Sequence, residues 1–412
     1  MEGLKMKRSA LLIFVALILI LTATTTFKAA SVETVSLWAM GVEGQNIGKL
    51  LPQFETANPG IKVKLQVIPW SAANDRLLTA VAGGTVPDLT QMGSTYMAQF
   101  TEAGALEDLT PYLAKSKTLK LNDFVEACTD LYVINGKPYG IPWYADTRFI
   151  FYRTDILEEI GYKNFPETWD EFIECCQKLR ARGPEQYAVN MAAGNWQVTM
   201  NFIWANGGRI LDEKGRPAVT EAAFVEAVAW VADIFKNQYA LLDTGGSNIR
   251  QDLASGRFPI FIGGFWEGNL LRTETPQLDG KWSIALMPKK KSRSSFMGGC
   301  GLVIFKDARR KQAAWKLIEF LSQPEIQNQW REAAGSIPAS KEAMRIASES
   351  DPLMKIVYEQ LKEGVAPPVI SQWPEIEGRL NTRIQEACYG VKTPLEACQL
   401  LAKDLEKIMS QY

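Results

Sequence analysis

At 412 residues, and at roughly 150 residues per domain, the chain has room for two domains or three small ones. Its 45 Lys+Arg against 46 Asp+Glu leave a formal net charge of -1, so no basic excess exists to condense on nucleic acid, and 47% hydrophobic with 22% charged residues fits a folded chain and excludes disorder. Histidine is absent, which removes Ser-His-Asp and Cys-His triads, a His general base and an HExxH zinc site; an enzyme built here would use carboxylates, Lys, Tyr or Cys.

The N-terminus opens with Lys5, Lys7 and Arg8, runs through apolar residues from Ala10 to Leu21, and leaves through Thr22 to Thr26 and Ala29-Ala30-Ser31. A basic head, a short apolar core and a small-residue exit predict an export signal over residues 1–30. The run is shorter than the ~20 residues of a membrane span, an uncleaved N-terminal anchor being the alternative. No cysteine follows it, so a lipid anchor is not expected. The mature chain is expected to be soluble and periplasmic or otherwise extracytoplasmic.

Residues 34–38 read as a strand, 39–44 as a Gly-punctuated loop, and 47–58 as a helix with Leu50, Leu51 and Phe54 on one face, stopped by Asn58-Pro59-Gly60. Residues 61–68 alternate apolar and polar as a strand does. A helix over 74–82 ends at Gly83-Gly84, and Pro87-Asp88-Leu89 opens the next strand, with Asp88 capping a turn or helix. This alternation predicts a parallel α/β layer. Strands follow at 148–153, 258–262 and 301–305, and helices at 221–238 and 308–322. A further helix starts on the capping-box spacing Thr168…Glu171, and the chain is mostly helical from 341 onward. No composition shift marks a boundary, which suits a chain that crosses between lobes more than once. Cys388 and Cys398 flank a turn and either pair or remain buried thiols; with no CxxC, zinc is not expected.

Several segments, in order, carry a resemblance. They are Ala57-Asn-Pro-Gly-Ile61, Ala82-Gly-Gly-Thr-Val-Pro-Asp88, Gly136-Lys-Pro-Tyr-Gly-Ile-Pro-Trp143 with Tyr144-Ala-Asp-Thr-Arg148, Pro166-Glu-Thr-Trp-Asp-Glu171, Phe261-Ile-Gly-Gly-Phe-Trp266, Met297-Gly-Gly-Cys-Gly-Leu302 and Gly335-Ser-Ile-Pro338. Together they resemble the family 1 extracellular solute-binding proteins of carbohydrate ABC importers, the group of maltose- and trehalose/maltose-binding proteins. The resemblance implies an α/β, type II periplasmic-binding-protein-like fold, with two lobes joined by a multi-crossing hinge around a ligand cleft. It places residues 31–144 in the first lobe, 145–298 in the second, 299–345 back in the first, and 346–412 in the C-terminal helices of the second. It also implies a monomer that carries a small-molecule carbohydrate to the transmembrane subunits of an ABC permease, with no cofactor.

Sugars present apolar C–H faces and a rim of hydroxyls, so their sites set aromatic rings beside carboxylates and Arg, whose charge-assisted hydrogen bonds are strong. By resemblance, Glu43 accepts from sugar hydroxyls, Tyr144 stacks and Asp146 hydrogen-bonds the ligand, and Trp266 and Trp373 stack. Trp38 at the end of the first strand, equally readable as core, Trp196 in a loop, Glu267 beside Trp266, and Gly298-Gly299 at the second crossing complete the candidate set. Arg148 shares a strand face with Asp146 and either meets the ligand or pairs with Asp146. Two departures from relatives stand out. Gly93 stands where some disaccharide-binding relatives carry an acidic residue, and Cys300 where some carry a Trp.

Asp243-Thr-Gly-Gly-Ser247 mimics an aspartic-protease motif, but no second copy exists to share a proton. Lys289-Lys-Lys-Ser-Arg293 reads as a solvated basic run. The rival readings are a secreted glycoside hydrolase working through a pair among Glu43, Asp146 and Glu267, and a binder of a non-sugar solute such as an anionic sugar, polyol or polyamine.

Overall fold

Strand β1 (Glu33–Met40) pairs in parallel with β2 (Ile61–Ile68) and with β3 (Leu89–Gly93). The computed structural model describes residues 32–243, 246 and 248–410; the export signal and most of the Asp-Thr-Gly motif lie outside the described residues. The helices between these strands are Gly41–Ile47, Leu51–Ala57 and Trp70–Ala82. The loop expected over 39–44 is therefore partly helix. Glycines read as a loop in sequence, but Gly44 is needed for close approach, since a Cβ there would stand 2.6 Å from the Ala39 carbonyl oxygen. Asp88 ties β1 to the turn before helix Lys311–Leu321 without capping that helix: its carboxylate accepts from the Ser36 amide at 2.9 Å and from the Arg309 and Arg310 amides at 3.1 and 3.0 Å.

After the short hairpin β4 (Val133–Ile134) and β5 (Lys137–Pro138), strand β6 (Ile141–Asp146) leads to the first crossing. The chain continues into β7 (Phe149–Arg153), β8 (Val189–Asn190), β9 (Ile260–Gly263) and β10 (Trp282–Ala285), which form a four-stranded sheet ordered β10-β7-β9-β8. It returns through β11 (Ser295–Phe296) to β12 (Gly298–Val303) and β13 (Ile337–Pro338), closing a six-stranded sheet ordered β13-β6-β12-β3-β1-β2. The parallel layer read from the sequence is one half of this sheet; β12 runs antiparallel to both β3 and β6 because it enters from the other lobe.

The period-2 alternation of β7 divides two cores. Phe149 and Phe151 belong to a core continuous with the six-stranded sheet, whereas Ile150 faces a second core with Ile260 and Ile262. Helices Lys341–Ser350 and Leu353–Lys362 send Met344, Met354 and Val357 to the first core. Strand β14 (Gly364–Val365) then pairs with β11, and helices Trp373–Cys388 and Pro394–Met409 pack into the second core. Three chain segments thus cross between the lobes. Cys388 and Cys398 are buried free thiols.

Candidate functional site

A cavity of about 590 Å³ lies in the cleft between the lobes. Glu43, Trp70 and Tyr96 line it from the six-stranded lobe. Tyr144, Asp146, Arg148, Gly299 and Cys300 line it at the crossings, and Trp196, Gln197, Trp266, Glu267 and Glu377 line it from the other lobe. Of the residues proposed from sequence, Glu43, Tyr144, Asp146, Arg148, Trp196, Trp266, Glu267 and Gly299 meet here.

Trp38, Gly298 and Trp373 do not line the cavity. Trp38 packs against the first core from the middle of β1. Gly298 faces the Phe296 ring. Trp373 is fully buried, its ring 4.9 Å from and edge-on to that of Trp196, so it supports a wall of the cleft from behind.

Each wall residue is held by its element. Glu43 sits in the first turn of helix Gly41–Ile47, just past the end of β1, and is only 8% exposed. Burial raises its pKa, the Asp146 carboxylate adds to the shift, and its own backbone, Trp70 and Tyr144 oppose it. Behind it lies a clamp that the sequence did not reveal. Buried Gln91 accepts from the Met40 amide at 2.8 Å and donates to the Tyr144 hydroxyl at 2.8 Å and to Cys300 Sγ at 3.4 Å. The end of β1, β6 and β12 are thereby fixed to one another beneath the cavity floor.

The Arg148 guanidinium donates to Asp146 at 2.7 Å and to Gln197 Oε1 at 2.7 Å. It lies 5.1 Å from the Trp266 ring centroid and 5.0 Å from that of Phe296, a cation–π arrangement. Arg148 thus forms the pair with Asp146, and it also lines the cavity. Burial raises the Asp146 pKa and Arg148 works against that shift. Trp266 opens helix Trp266–Glu274, packs against Gly264, and donates from Nε1 to Glu267 at 3.2 Å. Glu267 is held in turn by Arg250 at 3.0 Å. The Trp196 amide donates to Asn381 Oδ1 at 2.8 Å, joining two helices of the second lobe.

The residues missed in sequence are Trp70, Tyr96, Gln197 and Glu377. Trp70 begins its helix directly after β2, at a strand end where α/β ligand sites lie, and 36% of its surface remains open. Gly93 lines the cavity beside it, and a Cβ there would approach the Trp70 ring at 3.6 Å. Glu377 lies four residues after Trp373, on the same helix face. Burial pushes its carboxyl up to about 7, against the opposing influence of the Trp373 and Trp196 indoles. No cluster suited to a metal ion occurs among the described residues. Ring faces, carboxylates and one Arg suit a polyhydroxylated ligand that offers apolar faces and hydrogen-bond donors.

The chain resembles proteins of known structure over most of its length. The sugar-binding protein MalE from Xanthomonas citri superposes with a TM-score of 0.83 at 31% identity, covering 92% of this chain and 98% of that one. An ABC transporter solute-binding protein from Thermotoga lettingae, bound to α-D-tagatose, gives a TM-score of 0.84 at 26% identity, covering 91% and 99%. The diacetylchitobiose-binding protein DasA of Streptomyces coelicolor is 23% identical over 393 residues, 92% of this chain and 90% of its own length. These likenesses establish the type II two-lobe fold, and the family profile described as bacterial extracellular solute-binding protein matches residues 40–328. The chain belongs to the bacterial extracellular solute-binding protein family.

Proposed function

We propose that this protein captures a saccharide in the interlobe cleft outside the cytoplasm and delivers it, as a monomer, to the transmembrane subunits of an ABC permease. The observation that carries the reading is the lining of the cavity. Trp70, Tyr96, Trp196 and Trp266 line it together with Glu43, Asp146, Glu267 and Glu377. The volume of about 590 Å³ falls among small-molecule sites, which span about 300–1,000 Å³. Glu43, Tyr144 and Asp146 act as hydrogen-bond partners, Arg148 orients Asp146 and Gln197, and Trp70 and Trp266 offer ring surface. The carboxylates accept hydrogen bonds, and no bond of the cargo is broken.

The lobes already touch across the cleft. Asn269 Nδ2 donates to the Glu332 carbonyl at 3.2 Å, from helix Trp266–Glu274 to helix Pro324–Ala334. A ligand that touches both lobes favours such a closed state by its differential affinity. The permease reads that closure.

The test is a thermal-shift screen of the mature chain against mono- and oligosaccharides, polyols, sugar acids and polyamines, with each ligand recovered by chromatography. A saccharide at 100 times its Kd adds about 2.7 kcal/mol of stability, and it is expected back intact. A saccharide returned as cleavage products would overturn the reading in favour of a hydrolase. A shift by charged acyclic ligands alone would overturn the saccharide assignment.

A further inference from the structure

Four carboxylates face the cleft, and two of them are already neutralised: Asp146 by Arg148 at 2.7 Å and Glu267 by Arg250 at 3.0 Å. Glu43 and Glu377 form no ion pair among the described residues, and the groups that bear on their carboxylates include no cation. They stand on opposite lobes, one after β1 and one in helix Trp373–Cys388. Arg148 is the one cation among the described residues that line the cavity, and its charge is spent on Asp146.

Closing the cleft on a neutral ligand leaves Glu43 and Glu377 without a counter-charge, so that burial drives both toward their protonated forms. An isolated buried charge is costly, and hydroxyl donors offset that cost only in part. An ammonium supplies the missing charge. The ring faces of Trp70 and Tyr96, which line the same space, attract a cation as well. Arg148 already occupies the corresponding position over Trp266.

We propose that the cargo is an amino sugar, a saccharide whose protonated amine pairs with Glu377 at the cavity wall. This assignment rests on the saccharide reading above and narrows it. The groups facing Glu377 are the indoles of Trp373 on its own helix and Trp196 on helix Trp196–Ala205, with the Tyr96 phenol opposite, itself pushed up to about 12 by burial and by Glu377. With Glu377 at about 7, only the ionised fraction of the empty protein is competent for an ammonium. Amine affinity therefore rises about tenfold between pH ~5.5 and pH ~7, by the competent-fraction rule. A neutral sugar shows no such rise.

The experiment is calorimetric titration of the mature chain at neutral pH with matched pairs. Glucose, galactose, cellobiose and N-acetylated hexosamines are set against glucosamine, galactosamine and de-N-acetylated chitosan oligomers, with spermidine as an acyclic polyamine. The expected result is an amine bound at least tenfold more tightly than its neutral partner. Glu377→Gln is expected to abolish that preference while the melting temperature is held or raised. A neutral sugar bound as tightly as its amine, or an amine preference that persists in a folded Glu377→Gln variant, would overturn the amino-sugar assignment and leave the saccharide reading standing. Binding of spermidine with no saccharide bound would overturn both. The wild-type comparison of matched pairs stands even if the variant does not fold.

Discussion

Glu377 holds its proton up to about 7, against an ordinary value of 4.5. Between those values the folded chain keeps a proton that the unfolded chain has released, so stability falls as pH rises through this window. The loss is up to about 3 kcal/mol, from 1.36 kcal/mol per pKa unit. Glu43 and Asp146 are also raised by burial and act in the same direction. Urea denaturation at pH values on either side of this window should show a slope that Glu377→Gln flattens in part; parallel slopes for the two proteins would contradict the burial of this carboxylate. Trp70 makes the complementary case. With 36% of its surface open, Trp70→Ala should change stability by less than about 1 kcal/mol yet weaken ligand binding at least tenfold in a titration. An unchanged affinity would remove it from the site.

The elements of this protein were more legible in the sequence than the faces they present. The alternation of residues 61–68 marks β2, and Thr168 caps its helix as its spacing predicts, accepting from the Glu171 amide at 3.3 Å. Glu43, Tyr144 and Asp146 were legible by resemblance because they sit where strands end. Trp38, readable as core or cleft, packs on the core, and Trp373 does not line the cavity, because a Trp carries no sign of which face it will take. One lies along β1, and the other is turned inward while Glu377 takes the cleft position. Gln91 and Ser295 were illegible for another reason: each bonds groups brought together from distant parts of the chain. Ser295 Oγ, fully buried, donates to the Arg148 carbonyl at 2.9 Å and accepts from the Arg148 amide and Thr147 Oγ1, both at 3.1 Å. Its amide donates to the Glu363 carbonyl. One residue therefore joins the three crossings. Ser295→Ala strands these buried groups and should cost about 1–3 kcal/mol in denaturant unfolding; a neutral effect would show that the hinge does not depend on this junction.

At the scale of the whole molecule, two cores joined by three crossings make the cleft a variable of the fold. The lobes meet where Gly335, at φ +71°, ends helix Pro324–Ala334, and a Cβ there would stand 2.9 Å from Trp266 Cα on the opposite lobe. Gly335→Ala should therefore hold the lobes apart and weaken ligand binding about tenfold, the equivalent of 1.4 kcal/mol. Gly215→Ala is the control. It has a similar φ of +74° with nothing within 4 Å, and so carries the strain without the interlobe clash. Equal affinities for the two variants would show that this contact does not limit closure. The most direct test of the account is small-angle X-ray scattering of the mature chain with and without a saccharide that stabilises it. A smaller radius of gyration is expected with the saccharide, and no such contraction in Gly335→Ala. Identical scattering with the saccharide bound would contradict capture by lobe closure.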